Sequence, residues 1–179
     1  MNPLSSFFSA PNRRVTGIAL IILALDQLTK ALVLRFLGYE EERVVVESFF
    51  KLVHWGNTGA AWSLFKGNNL ILAAVAVVAL VVLYFTRHHF SCGTRLGHFA
   101  FGLIVGGIIG NLIDRLARGH VIDFLYFYIV RNGEVHGFPA FNVADSAICT
   151  GVALVFLLTW KSERHAKAVA SSPSPSEPH

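Results

Sequence analysis

Residues 70–85 read LILAAVAVVALVVLYF, a run without one charged or amide side chain. The hydrocarbon core of a bilayer is about 30 Å thick and takes roughly 20 helical residues, a length this run reaches with its flanks. Working outward, three more segments qualify. Residues 15–37 (VTGIALIILALDQLTKALVLRFL) are apolar except for Asp26, Gln27, Lys30 and Arg35, and residues 96–113 (LGHFAFGLIVGGIIGNLI) and 143–160 (VADSAICTGVALVFLLTW) complete the set. The whole chain agrees: 54% of its 179 residues are hydrophobic, 15% are charged, and the mean hydropathy is +0.55. A soluble domain carries about a quarter charged residues, and so apolar a chain is not a disordered one. The expectation is an α-helical polytopic membrane protein. It has four transmembrane helices in one domain at 15–165, after a cytoplasmic segment at 1–14.

The first span follows Arg13 and Arg14 as a signal peptide would, but it is too long for that and contains Asp26 and Lys30. It reads as a retained helix. Basic residues orient the helices. Arg13, Arg14, Arg87, Arg95, Lys161, Arg164 and Lys167 crowd short segments on one side. Arg43, Lys51, Lys66, Arg118 and Arg131, with Arg35 at the edge, spread over longer loops on the other. The positive-inside rule puts both termini in the cytoplasm and the loops at about 38–69 and 116–142 outside. The net charge of +4 is then flanking charge of helices, not a nucleic-acid footprint. Within the first outer loop, 43–55 (RVVVESFFKLVHW) is β-branched and aromatic and reads as a strand or hairpin on the membrane surface, a small extracytoplasmic β-rich element. Trp55 and Trp62 read as interfacial anchors. The Ser/Pro-rich tail at 166–179 reads as disordered. No internal repeat is visible.

Ionisable groups at membrane depth are costly and need a partner or a task. Asp26 and Lys30, one helical turn apart, can pair, and a structural salt bridge accounts for them better than a proton relay does. In the third segment Gly102, Gly106 and Gly110 make a smooth row that Asp114 continues, with Gly107, Asn111 and Arg115 beside it. Small residues admit a close neighbour, a substrate helix or another span. Packing explains the glycines but not the polar cluster Asn111, Asp114 and Arg115 at the end of the groove. Asp123 follows the helix-breaking Gly119, and Asp145 falls in the first turn of the fourth helix after a candidate N-cap, Asn142. Taken singly, these are a loop carboxylate and a dipole complement. Together with Asn57 they outline a polar pocket at the outer membrane surface.

The available chemistry is narrow. No GxSxG elbow or HExxH helix occurs, and neither Ser63 nor Ser146 has a sequence reason to meet Lys30. His54, His120 and His136 show no ligand spacing, and Cys92 and Cys149 fall on different levels. No metal site is therefore expected. Two nearby aspartates would share one proton, one member acting as base and the other as acid. A spacing of 22 residues does not by itself bring Asp123 and Asp145 together. A proton-coupled transporter built on Asp26, Lys30 and Asp114, or a non-catalytic scaffold, are the competing readings.

The stretches DQLTK (26–30), NTGAAWS (57–63), GNLIDR (110–115), VIDF (121–124) and FNVADS (141–146), in this order between four spans, resemble the bacterial lipoprotein signal peptidases, or type II signal peptidases. The resemblance covers roughly 15–160. It implies an aspartic endopeptidase of the bacterial inner membrane that works without metal or other cofactor, with its active site near the outer leaflet. Such an enzyme cuts prolipoproteins just before a diacylglyceryl-modified cysteine. The family's catalytic pair matches Asp123 and Asp145. Its substrate-binding or dyad-supporting residues match Asn57, Gly59, Asn111, Arg115 and Asn142, and its structural polar residues match Asp26, Lys30 and Asp114. The implied partners are lipidated prolipoprotein signal peptides, membrane lipid and the inhibitory cyclic peptide globomycin, with the chain acting as a monomer.

Overall fold

In a computed structural model the chain is described over residues 10–59, 67–90 and 94–170. Trp62, Ser63, Lys66, Cys92 and residues 171–179 lie outside these. The described elements are, in order, α1 (Ala10–Phe36), β1 (Glu42–Val46), β2 (Phe50–Asn57), α2 (Asn69–Phe90), α3 (Arg95–Arg118), β3 (Val121–Arg131), β4 (Glu134–Gly137) and α4 (Val143–Ala170). Each expected span maps onto one helix, and all four helices are long and apolar enough to cross a membrane. Two boundaries differ from expectation. α1 begins at Ala10, inside the segment assigned to 1–14. α4 runs to Ala170, so 166–170 is helix, not disordered tail. Its last turns (KSERHAKAVA) consist mostly of strong helix formers, with Glu163 and Lys167 spaced to pair, and these carry the helix on past its apolar stretch.

α3 is the hub, packing against α1, α2 and α4. Well over half of its span is buried, whereas α2, apolar on every side, buries almost none. The glycines explain why. A Cβ on Gly102 would fall 2.7 Å from Ile18 Cβ, and one on Gly106 would fall 2.7 Å from Ala19 O, both on α1. On the adjacent row, a Cβ on Gly107 would fall 2.5 Å from Ala144 O of α4. α4 reciprocates with Gly151, whose added Cβ would lie 2.7 Å from Ala100 O. The glycine rows therefore hold α1 and α4, and of the two occupants expected for the groove it is the neighbouring span that fills it, not a substrate helix. Thr94 caps the start of α3, its hydroxyl accepting from Gly97 N at 3.0 Å, and Gly119 ends it in the left-handed region at φ 77°.

α1 and α3 end, and α2 and α4 begin, at a four-stranded antiparallel sheet of order β1-β2-β3-β4. Of the strand or hairpin expected at 43–55, the structure forms the hairpin, β1–β2. The β3–β4 hairpin was not anticipated. Its turn is Asn132-Gly133, with φ of 54° and 82°, the positive pair a tight two-residue hairpin needs. Ile122 and Phe124 of β3 pack with Val33 of α1 in a buried apolar cluster, tying the sheet to the helix ends.

Candidate active site

Asp123 lies on β3 opposite Trp55 of β2, close to the strand's helix-proximal end. Asn57, at the end of β2, accepts from Gly59 N at 2.8 Å through Oδ1, a local turn that leaves its amide nitrogen to donate to Asp123 Oδ2 at 2.9 Å. Asn142 is the N-cap of α4. Its Oδ1 accepts from Asp145 N at 3.0 Å while Asp145 Oδ2 accepts from Asn142 N at 3.2 Å, a reciprocal capping pair. The dipole-complement reading of Asp145 is thus correct as far as it goes. Asn142 Nδ2 also donates to Asp123 Oδ1 at 2.9 Å, with Ile122 O and Asn111 Oδ1 at 3.2 Å each. One fully buried asparagine therefore joins the two carboxylates. Asn111 on α3 completes the ring, its Nδ2 donating to Asp145 Oδ1 at 2.8 Å.

Asp123 is only 3% exposed. Burial first, and the negative charge of Asp145 second, push its pKa up to about 7, against the opposing hydrogen bonds from Asn57 and Asn142 and the more distant Lys30. Arg115, on α3, donates from Nη2 to Gly59 O at 2.9 Å, while its buried Nε has no hydrogen-bond partner among the described residues. The guanidinium thus holds Gly59, just past the end of β2, where Asn57 reaches Asp123. Gly59 acts through its backbone, as donor to Asn57 and acceptor from Arg115.

Below this site lies a second polar cluster, larger than the salt bridge the sequence suggested. Lys30 Nζ is 2.8 Å from Asp26 Oδ2 and 2.8 Å from Asp114 Oδ2, and all three side chains are fully buried. Asp26 Oδ1 accepts from Ala144 N at 3.0 Å, and Asp114 Oδ1 accepts from Arg118 Nη1 at 2.6 Å. Gln27 Nε2 lies 3.2 Å from Gly110 O and 3.3 Å from Asp114 Oδ1. Sequence reasoning left Gln27 and Arg118 without a role, although Gln27 stood out as an amide in an apolar span. It also missed Asn69, whose Nδ2 donates to Arg115 O at 2.9 Å, because a lone asparagine opening a helix carries no distinguishing signal. His54 directs Nδ1 at Leu37 O, 3.1 Å away, and His136 is at the far hairpin beside Glu134. Among the described residues, no group of three His, Cys, Asp or Glu side chains is arranged to hold a metal.

The family model for signal peptidase (SPase) II matches residues 18–161. A lipoprotein signal peptidase of Syntrophotalea carbinolica is 42% identical over 154 residues, 80% of this chain and 89% of the relative. That of Bacillus subtilis is 40% identical over 142 residues, 78% of this chain and 88% of the relative. Among solved structures, a bacterial membrane enzyme determined by the in meso method at 2.3 Å superposes with a TM-score of 0.73 at 25% identity, covering 92% of this chain and 94% of that one. A second, at 1.9 Å, gives 0.69 at 27% identity over 81% of this chain and 91% of that one. With the family model spanning most of the chain and relatives aligned over most of their own length, the chain belongs to the signal peptidase II family.

Proposed function

We propose that this membrane peptidase removes signal peptides from prolipoproteins with Asp123 and Asp145 as its catalytic pair, cutting just before the lipidated cysteine. The observation that carries the reading is the Asn142 bridge, which contacts both carboxylates at the junction of helices and sheet. The ionised aspartate takes a proton from water as the oxygen attacks the scissile carbonyl. The protonated aspartate donates to the carbonyl oxygen. Collapse of the tetrahedral intermediate breaks the C–N bond, with a proton passing to the leaving amine. The products are a signal peptide carboxylate and a new amino-terminal cysteine. Arg115, Asn57, Asn111, Asn142 and Gly59 hold the pair or the substrate backbone. Asp26, Lys30 and Asp114 fasten the helices that present them.

The same reading places the chain in a bacterial inner membrane as a monomer, both termini cytoplasmic and the site near the outer leaflet, where a diacylglyceryl group would have its acyl chains in lipid. Globomycin would then inhibit by occupying the pair. The deciding experiment is cleavage of a lipidated prolipoprotein by the purified protein. Asp123→Asn and Asp145→Asn should each abolish cleavage in a folded protein, and the double variant should be no worse than either, because the two act as a unit. Near-normal cleavage by a folded single variant overturns the assignment. Cleavage should also persist in EDTA; loss that added zinc restores would replace the pair with a metal mechanism.

A further inference from the structure

A lysine ammonium has three N–H donors and no acceptor. Fully buried Lys30 directs one at Asp26 Oδ2 (2.8 Å), one at Asp114 Oδ2 (2.8 Å) and one at Asn111 Oδ1 (3.0 Å). The third contact has a consequence for the site above it. Because Nζ cannot accept, the oxygen of the Asn111 amide must face it, and Asn142 Nδ2 gives that oxygen a second donor at 3.2 Å. The amide nitrogen is then left facing Asp145 Oδ1 at 2.8 Å. Turned over, the amide would set its oxygen against the carboxylate and its nitrogen against the ammonium, two repulsions in place of two charge-assisted hydrogen bonds.

The other two asparagines of the site are locked by nearby backbone, Asn57 by Gly59 N and Asn142 by Asp145 N. Asn111 has no such local lock. Its orientation comes from α1 through Lys30 and from Asn142. We propose that Lys30 is a positioning residue for the cleavage reaction, acting through Asn111 to keep a donor on Asp145, beyond its part in fastening α1 to α3. This rests on Asp123 and Asp145 being the catalytic pair.

The test removes the ammonium while preserving buried charge balance, in Asp26→Asn/Lys30→Met, leaving Asp114 with Arg118. Arg118→Met serves as the comparison: it breaks the same cluster without reaching Asn111. Steady-state cleavage of a lipidated prolipoprotein is measured per folded molecule, with Tm recorded alongside. The double variant should keep KM and lose kcat by on the order of tenfold to a hundredfold, as for a misplaced catalytic group. Arg118→Met should lose Tm and keep kcat. Equal kcat losses at matched Tm loss, or a double variant with unchanged kcat, would make Lys30 purely structural. Asp123→Asn in the same assay separates the two readings, because cleavage by that variant means the pair itself was misassigned. Should the double variant not fold, a crystal structure of the unaltered protein decides. The Asn111 amide held between Lys30 Nζ and the Asp145 carboxylate, each within hydrogen-bond distance, sustains the proposal, and Nζ beyond that reach overturns it.

Discussion

Asp123 holds its proton to about pH 7 in the fold but would release it near 3.8 in the unfolded chain. Between those values the native state binds the extra proton, so this group's contribution to stability is complete below pH 3.8 and is lost as pH rises to about 7. Thermal unfolding across that window should show the decline, and Asp123→Asn should flatten it. If Asp123 is the acid of the pair, kcat/KM falls as pH passes about 7, which a pH–rate profile reads directly. Asn142 separates two roles at one position. Serine there still caps α4, since its hydroxyl can accept from Asp145 N, so the stability lost should be that of the buried acceptors its missing amide leaves unpaired, about 1–3 kcal/mol. It has no amide to donate to Asp123, so cleavage should drop by roughly tenfold or more. A loss of Tm with normal kcat would show that Asn142 only caps.

At the scale of elements, α3 works because it lacks side chains where its neighbours arrive. A leucine at Gly107 would force Ala144 O away from its present place 2.5 Å from the new Cβ, and Ala144 immediately precedes Asp145. Gly107→Leu should therefore destabilise by about 1–3 kcal/mol and reduce cleavage as well. Gly17→Ala is the contrast, since among the described residues nothing beyond its chain neighbours and its own helix backbone lies within 4 Å of its added Cβ. It should keep or slightly raise Tm in a detergent melt, alanine being the better helix former. The spans were legible because hydropathy over roughly twenty residues is a local property. The β3–β4 hairpin was legible in part: Asn132-Gly133 between apolar runs is a strong turn signal, but an aromatic run beside a membrane helix looks like any apolar segment until its pairing is known.

For the whole molecule, the chain order puts the sheet at one end of the helices, and the start of α1, the end of α2, the start of α3 and the end of α4 at the other. Cysteine labelling should therefore mark Glu40 and Glu134 positions from outside and an Arg87 position from the cytoplasm. Label entering position 134 from the cytoplasm would reverse the orientation. The sequence by itself determined the four spans, the cost of each ionisable residue within them and, through ordered motifs, which residues to watch. Those are consequences of composition and spacing along the chain. Only the tertiary structure decided what filled the glycine groove, that the Asp26–Lys30 pair also included Asp114, and that Asn142 joins Asp123 to Asp145. Each of these depends on residues from different helices and strands approaching within hydrogen-bond distance, and the lock on Asn111 reaches from α1 to α3 across 81 positions. Hydrogen bonds act over about 3 Å of space whatever the separation in sequence, so spacing could nominate the partners but could not pair them.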